Sequence, residues 1–153
     1  MTRSGPKILP PILARQQLHM NPILRNILAV IVGAVACIML NGLLLGLMMK
    51  AIAPPLGFNV NDPATYSLLQ AKHFISPFVA HALPSVIGGL LAALIAANRK
   101  MTFALVVGGL HLIGGIAAAF IIPAPTWFVV LDLAIAYLPM AWIGGKLGSR
   151  NAL

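Results

Sequence analysis

The sequence predicts an all-α membrane protein, with four transmembrane helices in one bundle and both termini cytoplasmic. Three observations carry that expectation. Hydrophobic residues fill 60% of the 153 positions and charged residues only 8%, too few for a soluble domain of this size to cover itself with a hydrated surface. The apolar residues fall into four runs, at about 26–53, 73–97, 101–121 and 126–145, each meeting the roughly 20 residues that a helix needs to cross hydrocarbon. The basic residues stand at the ends of those runs, as they do in chains oriented by the positive-inside rule.

The N-terminal segment, residues 1–22, holds Arg3, Lys7 and Arg15 among Pro6, Pro10 and Pro11. Prolines at that density forbid a long helix, so it reads as a basic cytoplasmic tail. Met20 opens Met-Asn-Pro-Ile-Leu-Arg-Asn, which looks like a natural start, and residues 1–19 read as an extension upstream of it. The transmembrane domain then occupies 23–149. In its first span Ala29, Gly33, Cys37 and Asn41 recur every four residues, forming a small-residue face for another helix. The run is too long for a signal-peptide core and reads as an uncleaved anchor.

Pro54-Pro55 ends the first span, and 54–72 reads as an external loop. Within it Asn59-Val60-Asn61-Asp62-Pro63 predicts a turn followed by a helix start, with Asp62 as cap or turn residue. In the second span His81, Ser85, Gly89, Ala93 and Ala97 share a face, and Pro84, lacking an N–H, predicts a kink. The third repeats the theme with Ala104, Gly108, His111, Gly115 and Ala119. Pro123-Ala124-Pro125 makes a tight turn into the fourth. There Trp127 and Trp142 lie about 22 Å apart at helical rise, suited to two aromatic belts. Asp132 falls between them, and Pro139 predicts a second bend.

Arg3, Lys7, Arg15, Arg25, Arg99, Lys100, Lys146 and Arg150 fall on one side of these spans, and Lys50 and Lys72 on the other. The bias puts both termini in the cytoplasm, and it survives removal of residues 1–19. The net charge of +8 follows from the same placement. A nucleic-acid-binding chain would gather its basic residues in a stripe instead, so no nucleic acid is expected as a partner. Cys37 is the single cysteine and sits deep in an apolar run, so it supports no disulfide framework.

Several stretches together resemble a family of small four-helix bacterial inner-membrane proteins to which no activity is assigned. They are Pro54-Pro55 with Asn61-Asp62-Pro63, Lys72-His73-Phe74 with Phe78-Val79-Ala80-His81-Ala82-Leu83, Ile122-Pro123-Ala124-Pro125-Thr126-Trp127-Phe128, and Ala136-Tyr137-Leu138-Pro139. The likeness covers nearly everything after Met20. It implies four spans and a bacterial inner (plasma) membrane, and it carries over no catalytic residue. One departure is Pro84, where the family pattern has glycine.

Asp132 is the residue that constrains the rest. A charged aspartate at the centre of a span costs about 2.5–3.5 kcal/mol on insertion scales, so it should face the bundle and have a partner. Counted at helical rise, Asp132 lies about 9 Å and His81 about 12 Å from the external surface, with His111 and Asn41 at roughly 15–18 Å. These four form the candidate intramembrane polar cluster, His81 being the first candidate partner of Asp132 and His111 the second. Such a cluster can serve as interhelical glue, relay protons or, with Asp132 and two histidines, ligate a metal. The histidine spacing matches no metal motif, and no nucleophile–base pair, paired carboxylates or phosphate loop is present. The expectation is a non-enzymatic accessory or self-associating bundle without metal or cofactor, its partners the lipid bilayer and a second copy or another membrane protein. The alternative is a small proton-coupled transporter or channel built on the Asp/His cluster.

Overall fold

The computed structural model describes residues 20–150, and residues 1–19 of the expected basic tail lie outside them. Every regular element among the described residues is helical: α1 (Pro22–Ala51), α2 (Ile75–Ile95), α3 (Lys100–Ile121), α4 (Thr126–Ile135) and α5 (Leu138–Arg150), with 3₁₀ turns at Pro63–Leu68 and Ala71–Phe74. Four stretches are long and apolar enough to cross a membrane: Pro22–Ala51, Ala71–Ile95, Lys100–Ile121 and Thr126–Arg150.

Local chemistry sets the ends. Asn21 caps α1 by accepting a hydrogen bond from the Ile23 N–H at 2.9 Å, with Pro22 in the first turn, where its missing N–H costs nothing. Pro54 and Pro55 exclude any continuation. The 54–74 segment is shaped by short-range bonds: Asp62 caps the first 3₁₀ turn through the Ala64 N–H at 3.0 Å, and the Tyr66 hydroxyl donates to the Val60 carbonyl at 3.0 Å. Helix α2 continues through Pro84. The fourth span is interrupted: α4 stops at Ile135 and α5 starts at Leu138. Pro139 accounts for the break, because its ring clashes with the carbonyl four residues earlier and supplies no hydrogen to it.

Helix α2 lies at the centre, packed along α1 and α5 and against α3. The half of the bundle that carries Arg25, Arg99, Lys100, Lys146 and Arg150, here the basic end, is joined backbone to backbone. A Cβ on Gly33 or on Gly88 would come within 2.8 Å of the other's carbonyl oxygen, and one on Gly144 would strike the Val86 carbonyl. The Cys37 thiol donates to the Pro84 carbonyl at 3.2 Å. Asn26 closes the end of α2, its Oδ1 accepting from the Ala97 N–H at 2.8 Å and its Nδ2 donating to Asn98 Oδ1 at 3.1 Å. The Arg25 guanidinium donates to the Ile95 carbonyl, which satisfies one of the carbonyls a helix end leaves unpaired. The outer side of α1 packs on nothing described, leaving Ile27, Ile31, Ile38 and Met39 exposed.

The glycine seam predicts a contrast between two conservative variants. Gly144→Ala forces α5 off α2 and should lower the midpoint of thermal or SDS unfolding in micelles, by about 2–4 kcal/mol as an overpacking cost. Gly42→Ala meets no atom within 4 Å and should leave the midpoint unchanged or raise it by about 0.5–1 kcal/mol through helix propensity. Equal effects from the two would contradict the packing described.

Candidate functional site: an acid and two histidines beneath a cavity

Above the glycine seam the helices bring polar groups inward. Asp132 is 5% exposed and lies in the last two turns of α4, before the break. His81 of α2 faces it, with Nδ1 at 2.8 Å from Oδ2 and 3.0 Å from Oδ1. The Tyr137 hydroxyl, from the break between α4 and α5, donates to the same Oδ2 at 3.0 Å. Tyr137 is fully buried. Its ring stacks on His81 with centroids 5.4 Å apart and meets His111 edge-on at 5.1 Å. Gly115 makes room for it, since a Cβ there would collide with the hydroxyl.

A second string of bonds runs from α1 through α3 to α2. Ser85 Oγ donates to the carbonyl of His81 at 2.7 Å, lies 2.9 Å from His111 Nδ1, and His111 Nε2 lies 3.3 Å from Asn41 Nδ2. A serine hydroxyl has one hydrogen. With that hydrogen on the His81 carbonyl, Ser85 Oγ accepts from His111 Nδ1–H, and Nε2 is left to accept from the Asn41 amide. Donation therefore runs one way, from Asn41 to His111 to Ser85 to the backbone of His81, and it fixes His111 as a neutral imidazole with both nitrogens occupied. At Asp132 the same counting gives His81 Nδ1 the hydrogen, because an ionised carboxylate only accepts, and leaves Nε2 as the nitrogen open to a further proton.

The four residues of the expected cluster thus fall into two linked groups. Asp132 and His81 are in direct contact; His111 and Asn41 form the neighbouring string, tied to the pair through Ser85 and the Tyr137 ring. Tyr137, which is not among the expected cluster residues, is a hydrogen-bond donor to the acid. Ser85 was placed on the His81 face by its spacing, but not as the bridge between the histidines. Among the described residues no three metal-ligating side chains converge; the His81 and His111 ring centroids are 6.2 Å apart, and only His81 reaches Asp132.

Above this level, toward the 54–74 segment, lies a cavity of about 190 Å³. Its floor includes Asp132 and His81. Its walls are apolar, with Leu45, Met49, Pro77, Ala119 and Leu133 among them, and Phe58, Val60 and Tyr66 of the segment contribute the roof. The arrangement is asymmetric: the acid–imidazole pair borders a cavity that lies under the 54–74 segment, with close-packed glycines toward the basic end.

No family model, no curated protein and no solved structure matches the chain.

The pair itself is testable by a double-mutant cycle. His81→Ala and Asp132→Ala, singly and together, should give a coupling of about 0.5–3 kcal/mol in unfolding in micelles, the range for residues in contact. A coupling near zero would mean that the two side chains do not meet.

Proposed function

We propose that the chain is a multi-pass protein of the bacterial inner membrane, with its basic end in the cytoplasm, and that it works as a small proton-coupled transporter without catalysing a covalent reaction. The observation that carries this reading is the position of the one acid in the spans. Asp132 is hydrogen-bonded to His81 and Tyr137 at the floor of a cavity that lies under the 54–74 segment. An ionisable group within a span that faces a cavity is where transporters hold protons, and an Asp–His pair changes charge by one when His81 Nε2 gains or loses a proton. With that proton the pair is neutral; without it the floor carries one negative charge, which attracts a cation. Proton and cation therefore compete for one site, which is the minimum that coupling requires. The charge asymmetry of the ends supports the orientation, and the resemblance to small four-helix bacterial membrane proteins supports the compartment.

A self-associating accessory bundle is the second reading. It is favoured by Gly42 and Gly46 on the exposed side of α1, one helical turn apart with no atom within 4 Å of either Cβ position, a small-xxx-small pattern that pairs helices in membranes.

Proteoliposomes with an imposed pH gradient and an internal pH dye separate the two. Adding potassium, tetramethylammonium or short alkylamines in turn should produce protein-dependent proton movement with at least one of them. Asp132→Asn should abolish that movement and His81→Ala should reduce it about tenfold or more, in line with loss of a positioned proton-transfer group. Equal rates in wild type and Asp132→Asn, or none in wild type with every cation, would overturn the transporter reading.

A further inference from the structure

The cavity wall contains a polar atom that the polar network does not use. Ser76, in the first turn of α2, is 2% exposed, and its hydroxyl finds no hydrogen-bond partner among the described residues. Every other buried side-chain oxygen or nitrogen among them is paired. A buried hydroxyl without a partner costs roughly 1–3 kcal/mol, so its retention in a mostly apolar wall, where His73 and Tyr66 are the other polar side chains besides the Asp132–His81 pair, calls for a reason. Ser76 and the Asp132–His81 pair both line the same cavity. Ser76 and His81 lie five residues apart on α2, and the packing of α2 on α4 adds Asp132 to the same lining.

We infer that this cavity is a binding site for a small apolar amine, a monocation with one compact hydrophobic body; this rests on the transporter reading and names its substrate class. Three properties select that class. Size comes first: a 150 Å³ apolar cavity holds benzene, so about 190 Å³ admits an aromatic ring or short alkyl chain with one additional head group. Charge comes second. Among the described residues no lysine or arginine lines the cavity, Asp62 and Asp132 are the only acids in the chain, and Asp132 is the one on this wall, so with His73 and His81 neutral the only full charge these residues present to the interior is negative. Hydrogen bonding comes third. The carboxylate is an acceptor, and the Ser76 hydroxyl supplies a second acceptor on the same cavity, whereas an ammonium brings up to three donors and needs such partners once it leaves water. A neutral hydrocarbon would satisfy the walls and leave Ser76 unmatched. A carboxylate ligand would face the Asp132 charge.

Benzylamine, toluene and benzoate test the assignment, since they share a ring and differ in the head. Each is titrated into the full chain in micelles or nanodiscs, with protein-free particles as the blank, while ¹⁵N shifts of the His81 and His111 rings are followed by NMR. Benzylamine should saturate and move the His81 ring resonances, toluene should bind at least tenfold more weakly, and benzoate should leave the rings unmoved. Ser76→Ala should keep or raise thermal stability, since it deletes an unpaired group, and should weaken benzylamine about fivefold or more. Toluene binding as tightly as benzylamine, benzylamine that fails to saturate, or a Ser76→Ala variant with unchanged affinity would each overturn the assignment. The carrier reading falls separately: benzylamine that saturates and shifts His81 but drives no proton movement in liposomes supports the binding site and removes the coupling. Proton movement with potassium or tetramethylammonium, without benzylamine binding, removes the ligand class and leaves the coupling.

Discussion

An ionisable carboxyl cannot stand unpaired in an apolar bundle, and the way this chain meets that constraint organises its fold. Asp132 receives two donors, His81 Nδ1–H and Tyr137 O–H, from α2 and from the break after α4. To deliver the first, α2 must run within side-chain reach of α4. To deliver the second, the fourth span must be interrupted at Ala136 and Tyr137. Leaving the acid unpaired would cost several kilocalories per mole, more than the roughly 0.6–2 kcal/mol that one polar contact between membrane helices contributes. The hydrogen bonds are therefore less a source of stability than a condition on how these helices can pack.

The two halves of the bundle solve different problems. Toward the basic end the side chains shrink to glycine and alanine, backbones touch, and dispersion between them holds the helices. Gly33 meets Gly88, and Gly144 meets the carbonyl of Val86. Toward the loop end the side chains are larger and the helices leave a cavity, roofed by the 54–74 segment. Tight packing below fixes the register of α2, and so the height of His81 and Ser76; looser packing above leaves the cavity. The one-way chain of donors from Asn41 to the His81 carbonyl lies at the boundary, and ties α1 and α3 to the helix that carries the pair.

Much of this architecture is legible in the sequence because few physical rules govern it. Span length and hydropathy yield four apolar helices, with the observed α1 beginning at Pro22 rather than near residue 26 and the last helix running to Arg150 rather than 145. Depth counted at helical rise sets Asp132 at about 9 Å and His81 at about 12 Å from the external surface, close enough for the two to pair. Tyr137 is hidden for a geometric reason: in a continuous helix it would lie about 140° around the axis from Asp132, five residues on, and point elsewhere. Pro139 announces a bend, but the rotation that brings the phenol to the acid arises from the two-residue interruption it causes. The cavity is likewise hidden, since it depends on how Phe58, Val60 and Tyr66 fold back over the helices, through local bonds such as Tyr66 to Val60 that periodicity does not express. Ser76 stands out only when its surroundings are known, because a serine in the first turn of a helix ordinarily reads as unremarkable.

The central claim is a distance, that between the Asp132 carboxylate and the His81 ring. Magic-angle-spinning NMR on the chain in lipid bilayers, with ¹³C-labelled aspartate and ¹⁵N-labelled histidine, measures it through the dipolar coupling of Asp132 Cγ to His81 Nδ1. With Nδ1 at 2.8 Å from Oδ2, a strong coupling is expected at His81 and none of comparable size at His111. No measurable coupling to His81, or a stronger one to His111, would contradict the account and leave four packed helices without the acid–imidazole centre.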